Sequence, residues 1–186
     1  MGKSASGKDT IYKKLLEKCR ELHSIVLYTT RPRREGETNG VEYYFTTPDK
    51  MKAYDRQGRV IEQRVYQTVM GPWIYATVDD GQIDLEQGDY LGIGTLESYL
   101  KIRSYYGEAC VIPIYIAVED GTRLERALMR EKSQTVPNYA EMCRRYLADE
   151  QDFAPEKLKA GGITREYRND DLEMCIEEIC RSISRL

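Results

Sequence analysis

The sequence predicts an α/β domain with a parallel core sheet and a small antiparallel insertion. A glycine-rich loop at residues 2–8 leads directly into an amphipathic helix, and a short β-branched run follows that helix. A helix followed at once by a strand is the order of elements in parallel α/β sheets. Residues 31–78 interrupt this order with an antiparallel pattern. The 186 residues suffice for one domain with an ordinary core.

The opening loop matches the phosphate-binding pattern G-x-x-x-x-G-K. Its glycines let the backbone curl so that several N–H groups meet phosphate oxygens, and the helix N-terminus adds positive charge. Lys8 can reach the outer phosphates, and Asp9, which stands in the usual Ser/Thr position, offers the hard oxygen that Mg²⁺ prefers. The alternative is a flexible Gly/Ser/Lys-rich terminus. The predicted phosphate-binding residues are Gly2, Lys3, Ser4, Ala5, Ser6, Gly7, Lys8, Asp9 and Thr10.

Between the loop and residue 78, helical periodicity changes to strand alternation. Apolar residues at helical spacing predict a helix over 9–21. The β-branched run 24–29 predicts a buried strand. The remaining predictions are a helix over 48–54 and a hairpin of strands 59–68 and 73–78, joined through 69–72.

After residue 78 the α/β alternation resumes. Pro113 within the strand 110–118 indicates a sheet edge or a bulge, and Asn169–Asp171 offers caps for the last helix. In the helix 138–153, apolar spacing predicts a buried stripe of Tyr139, Met142, Cys143, Tyr146 and Leu147. Helices are predicted over 79–87, 96–105, 120–132, 138–153 and from 172 onward, and strands over 90–94, 110–118 and 163–168.

Composition excludes several classes of function. A net charge of −3 gives no basic footprint for nucleic acid, and no apolar run is long enough for a membrane span or a signal segment. A cytoplasmic protein is therefore expected. A single histidine and the absence of C-x-x-C pairs argue against zinc sites and His-centred triads. Cys19, Cys143, Cys175 and Cys180 are expected to be buried reduced thiols.

An arginine cluster follows the strand 24–29. Arg31, Arg33 and Arg34 lie within four residues, and like charges this close favour an anion among them. Tyr43 could donate its hydroxyl to the same anion. The alternative is a solvated basic turn, as most short charge runs are.

Four ordered strings resemble those of the guanylate kinase family, which has the nucleoside monophosphate kinase P-loop fold. The first, Thr29–Phe45, resembles T-T-R-x-P-R-x-G-E-x-x-G-x-x-Y-x-F, with Arg33 in place of a proline. Val60–Glu62 resembles F-x-E, Tyr75–Thr77 resembles Y-G-[ST], and Asn169–Leu172 resembles N-D-D-L. The resemblance implies a single domain with its core at 1–30, 79–118 and 154–186, a GMP-binding insertion at 31–78 and a lid at 119–153.

The resemblance also implies transfer of a phosphoryl group from ATP to GMP with Mg²⁺, and therefore the nucleotides ATP and GMP as partners. Asp9 would be the Mg²⁺ ligand, and Asn169 would lie near adenine. The implied catalytic residues are Lys8, Arg31, Arg126, Arg130 and Arg145; the implied acceptor-binding residues are Arg31, Arg34, Glu37, Tyr43, Glu62, Tyr75 and Thr77. Surface charge on helices is the alternative for the lid arginines.

Departures from the family pattern leave other functions open. Gly92 and Gly94 stand where the family has two aspartates that contact the nucleotide and organise magnesium, and Leu27 replaces a guanine-contacting serine. A pocket that reads a base by buried hydrogen bonds depends on all its partners. The alternatives are a catalytically silent nucleotide-binding module and a kinase for another nucleoside monophosphate.

The phosphate loop normally follows a core strand, whereas here only Met1 precedes it. We expect the natural chain to start further upstream, with Met1 as the last residue of that strand. A chain that is complete as written is expected to bind ATP weakly and to be of low stability, because a gap in the sheet leaves backbone groups unpaired.

Overall fold

A computed structural model describes residues 1–68 and 71–185. These form two compact units, one of Met1–Arg20, Ile93–Leu100 and the chain from Ile112 onward, the other of Glu21–Gly92 and Lys101–Val111. The helices are α1 (Lys8–Lys18), α2 (Pro48–Arg56), α3 (Leu96–Tyr106), α4 (Asp120–Lys132), α5 (Tyr139–Asp152), α6 (Pro155–Ala160) and α7 (Leu172–Ile183). The strands are β1 (Leu22–Ser24), β2 (Tyr28–Thr29), β3 (Tyr44–Phe45), β4 (Val60–Thr68), β5 (Gly71–Val78), β6 (Asp89–Leu91), β7 (Tyr115–Ala117) and β8 (Glu166–Arg168).

The first unit carries the loop between a parallel strand pair and its helices. β7 pairs with β8, and the Ile116 N–H donates to the Met1 carbonyl at 2.9 Å, so the chain enters the loop from beside β7. Burial lowers the pKa of the Met1 amino group to about 5. The predicted cap is confirmed, since Asp171 accepts from the Met174 N–H at 2.9 Å. Buried side chains on α1 and α7 are Ile11, Leu15, Cys175, Ile176 and Ile179.

The second unit contains a four-stranded sheet in the order β3-β2-β5-β4. β5 is antiparallel to β2 and β4, β2 is parallel to β3, and a separate parallel pair joins β1 to β6. Tyr28, Met51, Ala76 and Val78 form its buried cluster. The predicted mostly antiparallel segment and the α/β class with parallel strands are therefore confirmed. Val69 and Met70 of the predicted hairpin turn lie outside the described residues.

The predicted strand over 24–29 is wrong as a single element. The chain forms β1 and β2 separately: Ile25 still donates its N–H to the Leu91 carbonyl oxygen of β6 at 3.1 Å, and Leu27 already accepts from the Tyr44 N–H of β3 at 2.9 Å. Val26 donates its N–H to the side chain of Gln82 at 2.8 Å instead of to a strand. This break lets the chain pass from the β1–β6 pair to the four-stranded sheet within four residues.

Two further elements differ from expectation. The predicted helix over 79–87 is a series of turns, because the side chains of Asp80 and Asp84 accept from the N–H groups of Gln82 and Glu86, each at 3.0 Å. Such Asx turns compete with helix formation. The predicted strand 110–118 shortens to β7, since Pro113 supplies no N–H to a ladder.

The predicted burial of the stripe on α5 is wrong, because none of its residues is buried. Tyr139 is 46% and Leu147 is 64% exposed, and Cys143 is exposed as well. Of the other cysteines, Cys19 and Cys175 are buried as predicted, whereas Cys180 is only half-buried. α5 contacts α4 through the ion pairs of Arg123 with Asp149 and Glu150, and through Tyr146, whose ring lies under the Arg123 guanidinium. No described helix is long and apolar enough to cross a membrane.

Candidate functional site

Two glycines fix the shape of the phosphate loop. A Cβ on Gly2 would come within 2.6 Å of the Ile116 carbonyl oxygen, and one on Gly7 within 2.3 Å of the Asn169 side-chain nitrogen. Gly7 has a φ of +83°, a left-handed conformation that favours glycine. Asn169 is buried and donates from Nδ2 to the Ser6 carbonyl oxygen at 2.8 Å. Asn169, predicted to lie near adenine, thus holds the loop itself.

The loop also carries features that suit an oxyanion. α1 begins at Lys8, and the first amides of a helix have no partner within it, so they attract negative charge. Ala5 adopts a left-handed φ of +62°, which costs a residue with a Cβ roughly 1–2 kcal/mol. Ser6 is fully buried, and its Oγ has no hydrogen-bond partner among the described residues. A buried hydroxyl that needs a partner, close to a helix N-terminus, fits a phosphate group.

A charge network connects the loop to α4 and α5. The backbone N–H of Ser4 donates to the Asp149 carboxylate at 2.7 Å, and Lys3 Nζ lies 2.7 Å from Glu150. Arg123 exposes 1% of its side chain and is ion-paired with both of these α5 carboxylates. It also pairs with Asp120 and lies over the ring of Tyr146, 4.1 Å from its centroid. Two carboxylates therefore engage loop groups that the phosphate-binding pattern assigns to a ligand.

Two of the three predicted lid arginines face a cavity at the loop. The cavity measures about 180 Å³, and Ser4, Arg130 and Arg145 contribute to its lining. Arg145 Nη2 lies 3.4 Å from Ser4 Oγ. Arg126 is outside this lining and donates to the Asn169 carbonyl oxygen at 3.1 Å. Positive charge therefore reaches the loop from α4 and α5, through Arg130 and Arg145.

The predicted magnesium ligand, Asp9, lies on the exposed side of α1. Its side chain is 79% exposed, and its Oδ2 is 3.5 Å from Lys8 Nζ. Among the described residues no group of three or more His, Cys, Asp or Glu side chains could hold a metal by itself. Mg²⁺ in nucleotide sites is held by one or two carboxylates together with substrate phosphates. Asp9 supplies one carboxylate of the kind such a shared site uses, and its role as the magnesium ligand stays a prediction.

In the second unit, Arg31 is buried and held by a carboxylate. Its Nη1 and Nη2 donate to Glu37 at 3.0 and 2.7 Å, and its guanidinium lies 5.4 Å from the ring centroid of Tyr43 and 5.5 Å from that of Phe45. The Glu37 hydrogen bond raises the pKa of Arg31, and Arg31 lowers the pKa of Glu37. Glu37 also accepts from the Arg34 N–H at 2.7 Å. The predicted cluster is thus a folded turn around an ion pair.

Three predicted acceptor residues lie close to this ion pair, and two of them, Tyr43 and Tyr75, are half-buried. The side chain of Arg34 is exposed. Tyr43 and Tyr75 pack edge to face with ring centroids 5.5 Å apart. Burial raises the pKa of Tyr43, so its hydroxyl is protonated and can donate at neutral pH. An exposed guanidinium and two phenols are suitable donors for a phosphate oxygen.

The predicted base-reading pair is buried on the hairpin of β4 and β5. Glu62 is 3% exposed and Thr77 fully buried, and Thr77 Oγ1 donates to Glu62 Oε1 at 2.9 Å. The two residues face each other in the strand register. A second contact was not foreseen from the sequence: Arg64 lies on the same strand and pairs with Glu62 at 3.3 Å.

Gly92 and Gly94, which depart from the family pattern, have little room for a side chain. A Cβ on Gly92 would be 3.3 Å from Cδ1 of Ile25, and one on Gly94 would be 3.1 Å from Cβ of Ser98. Whether these glycines replace functional aspartates stays a prediction.

Sequence reasoning missed four charged residues of these clusters: Arg64, Arg123, Asp149 and Glu150. Alternation from Glu62 could have indicated Arg64, because residues two apart on a strand share a face. No local signal marks the burial of Arg123, since two of its three carboxylate partners, Asp149 and Glu150, lie on another helix.

Comparisons with known proteins give one family. The family model described as guanylate kinase matches residues 1–154. A guanylate kinase from Salinibacter ruber is 27% identical over 177 residues, covering 94% of this chain and 88% of the relative. One from Nostoc sp. is 28% identical over 181 residues, covering 96% and 84%. The crystal structure of guanylate kinase from Anaplasma phagocytophilum has the same fold, with a TM-score of 0.67 at 20% identity, covering 99% of this chain and 82% of that one.

Proposed function

This chain belongs to the guanylate kinase family, and we propose that it transfers the γ-phosphoryl group of ATP to the phosphate of GMP, giving ADP and GDP. In this reaction an oxygen of the GMP phosphate forms a bond to the γ-phosphorus. The bond from that phosphorus to the β–γ bridging oxygen breaks, and ADP leaves. Such a transfer needs little covalent help from the protein; it needs positioned charge and exclusion of water.

The phosphate loop is the proposed ATP site. Its glycines allow close backbone approach, and the buried Ser6 hydroxyl and the N-terminus of α1 supply donors for phosphate oxygens. Lys8 would contact the outer phosphates. Mg²⁺ held by Asp9 and the phosphates would neutralise charge on the phosphate oxygens.

One observation carries the choice of acceptor: a buried carboxylate, Glu62, lies on a hairpin face beside Tyr75, and Tyr75 packs on Tyr43 near Arg31. The carboxylate would accept from the N1–H and N2–H groups of guanine, which adenine lacks. Arg34 and the two tyrosines would bind the acceptor phosphate, and Arg31 would position this cluster through Glu37.

Two arginines, one on α4 and one on α5, are proposed for the transfer itself. Arg130 and Arg145 line a cavity with the loop residue Ser4, so they can neutralise charge on the γ-phosphoryl group. Arg126 donates to the carbonyl oxygen of Asn169, which holds the loop at Ser6, so it would position the loop through Asn169.

A coupled ADP-release assay with ATP and Mg²⁺ tests this function against GMP, dGMP, AMP, UMP and CMP. We expect turnover with GMP and dGMP. The variant Lys8→Met should lose at least about 100-fold in rate, since it removes a charge from the transferring phosphates. The matched control Lys13→Met, an exposed lysine of the same helix, should keep the rate. Turnover only with another acceptor would contradict GMP as the substrate.

A catalytically silent nucleotide-binding module is the second candidate. It is favoured by the contacts of Asp149 and Glu150 with Ser4 and Lys3, which engage the loop from within the chain. This candidate predicts nucleotide binding by calorimetry without ADP release for any of the five acceptors.

A further inference from the structure

Arg64 lies among the residues assigned to the acceptor but has no role in the proposed reaction. It stands two residues after Glu62 on β4, and these two residues are opposite Thr77 and Tyr75 of β5 in the strand register. Side chains two residues apart on a strand point to the same face. Arg64 and Glu62 thus share the hairpin face on which the acceptor base is proposed to bind.

The contacts of Arg64 within the protein leave some of its N–H groups available to a ligand. Its Nε lies 3.3 Å from Oε2 of Glu62, and its Nη2 donates to Oε1 at 3.4 Å. The Glu62 side chain is 1% exposed and that of Arg64 16% exposed, so the pair is largely withdrawn from solvent. A guanidinium has five N–H donors, and the hydrogen bond to Glu62 uses one of those on Nη2, so further N–H groups can bind a ligand.

A carboxylate beside a guanidinium matches one edge of a 6-oxopurine. Guanine and hypoxanthine present the N1–H donor next to the O6 acceptor, so Glu62 can accept from N1–H while Arg64 donates to O6. Adenine presents an amino group at this position, and two donors would then face each other. Leu27, which stands where the family pattern has a guanine-contacting serine, has an apolar side chain and cannot donate.

We infer that Arg64 is a specificity-determining residue that donates to the O6 carbonyl oxygen of the acceptor base, next to Glu62, and selects 6-oxopurine nucleotides. This inference rests on the proposed function, since it assumes that the hairpin face binds the acceptor. Arg64 contacts the base and takes no part in the transfer of the phosphoryl group.

Calorimetric binding of four acceptors to the full chain tests the assignment without requiring turnover. GMP and IMP carry O6, whereas AMP and 2-aminopurine riboside monophosphate lack it. The variant Arg64→Met should weaken the binding of GMP and that of IMP by the same factor, roughly 10-fold to 100-fold. This is the loss expected when a specific contact to a base edge is removed. Binding of AMP and of the 2-aminopurine nucleotide should change by less than about 2-fold, because neither nucleotide has an O6 atom for Arg64 to contact.

Two further variants separate base reading from other roles. Arg64→Lys keeps a positive charge beside Glu62, so it should keep the melting temperature of the wild type and recover only part of the GMP affinity. Gln63→Met, at the neighbouring position on the opposite strand face, should leave all four affinities unchanged. An equal loss for all four nucleotides in Arg64→Met would assign Arg64 to the phosphate or to folding, and would overturn the inference. Full recovery of GMP binding and selectivity in Arg64→Lys would likewise overturn a role for the guanidinium itself.

The outcomes also separate this inference from the proposed function. If the wild type phosphorylates GMP and Arg64→Met keeps the same preference for GMP over AMP, only the role of Arg64 is wrong. If the wild type binds neither GMP nor AMP, the acceptor site and this inference both fail. Selective loss of GMP and IMP binding in Arg64→Met supports the inference even where ADP release is too slow to measure.

Discussion

The carboxylate of Asp149 accepts a hydrogen bond from the backbone N–H of Ser4 at 2.7 Å. Backbone N–H groups of a phosphate loop are the donors that bind phosphate oxygens, so the carboxylate stands in for one of these oxygens. The neighbouring Glu150 forms an ion pair with Lys3 of the same loop. Under the proposed function, phosphate binding at Ser4 has to displace this negatively charged group of α5.

Removing that carboxylate should strengthen ATP binding. In Asp149→Ala the Ser4 N–H no longer has a competing acceptor, and repulsion of the phosphates decreases. A charge-assisted hydrogen bond is worth roughly 1.5–3 kcal/mol, part of which is offset by a less ordered loop, so we expect about a 10-fold gain in affinity by calorimetry. Asp152→Ala, which changes an exposed carboxylate of the same helix, is the control. Weaker ATP binding in Asp149→Ala would show instead that this contact preorganises the loop.

Replacing Arg123 should strongly destabilise the fold. Its guanidinium is 1% exposed among three carboxylates, and Arg123→Met would leave these charges partly buried without their counterion. Loss of one partner from a buried ion pair costs about 3–5 kcal/mol, measurable as a lower free energy of unfolding in urea. Arg144→Met breaks an exposed ion pair with Glu141 on α5 and should cost less than about 1 kcal/mol. Similar losses in the two variants would refute a stabilising role for the buried network.

Arg34→Ala should weaken acceptor binding and leave ATP binding unchanged. The side chain of Arg34 is exposed, and its link to Glu37 is through the backbone N–H, which the substitution retains. We expect about a 10-fold loss in GMP affinity for one charge-assisted contact to phosphate. The neighbouring exposed arginine gives a matched control in Arg33→Ala, whose GMP affinity should stay within about 2-fold. Equal weakening of ATP and GMP by Arg34→Ala would show that the arginine cluster is misassigned.

The ion pair of Arg31 and Glu37 should make the stability of the turn sensitive to acid. Arg31 lowers the pKa of Glu37 below the ordinary 4.5, so the folded state favours the carboxylate. Its stabilising effect is complete above pH 4.5 and is lost as the pH falls through the lowered pKa. The melting temperature of Glu37→Gln should therefore lie below that of the wild type at pH 7 and approach it once the pH falls below the lowered pKa of Glu37. Glu35→Gln, at an exposed neighbouring position, should follow the wild type at every pH.

The elements that sequence pattern predicted are those fixed by local interactions. Apolar spacing in α1 and α7 matches one buried face of each helix, which includes Ile11 and Ile176. The turns after residue 79 were missed because two aspartate side chains decide them, and an apolar pattern contains no information about such hydrogen bonds.

The features of the candidate sites also fall into two groups, those that follow from a local motif and those that depend on residues distant in the chain. The loop glycines follow from the motif, since close backbone approach is required wherever that pattern occurs. The burial of Arg123 depends on Glu150, 27 residues later on another helix. The exposure of the stripe on α5 depends on the absence of a second apolar face against it in the described chain, which its own periodicity cannot reveal.

Gly7→Ala should lower the stability of the protein, whereas Ala5→Gly in the same loop should raise it. Gly7→Ala places a Cβ within 2.3 Å of the Asn169 side chain at a φ of +83°, so it strains the backbone and displaces the contact with Ser6. The control Gly58→Ala has a similar φ of +68° but nothing within 4 Å of the added Cβ, so it should lose only the roughly 1–2 kcal/mol of backbone strain. Gly7→Ala should lose about 1–3 kcal/mol more in urea unfolding and bind ATP at least about 10-fold more weakly. Equal losses for Gly7→Ala and Gly58→Ala would show that backbone conformation alone, and not the approach of Asn169, requires glycine at the end of the loop.

Ala5→Gly relieves the left-handed φ of +62°. In urea unfolding it should gain up to about 1 kcal/mol, because part of the relief is offset by the entropy of glycine in the unfolded chain.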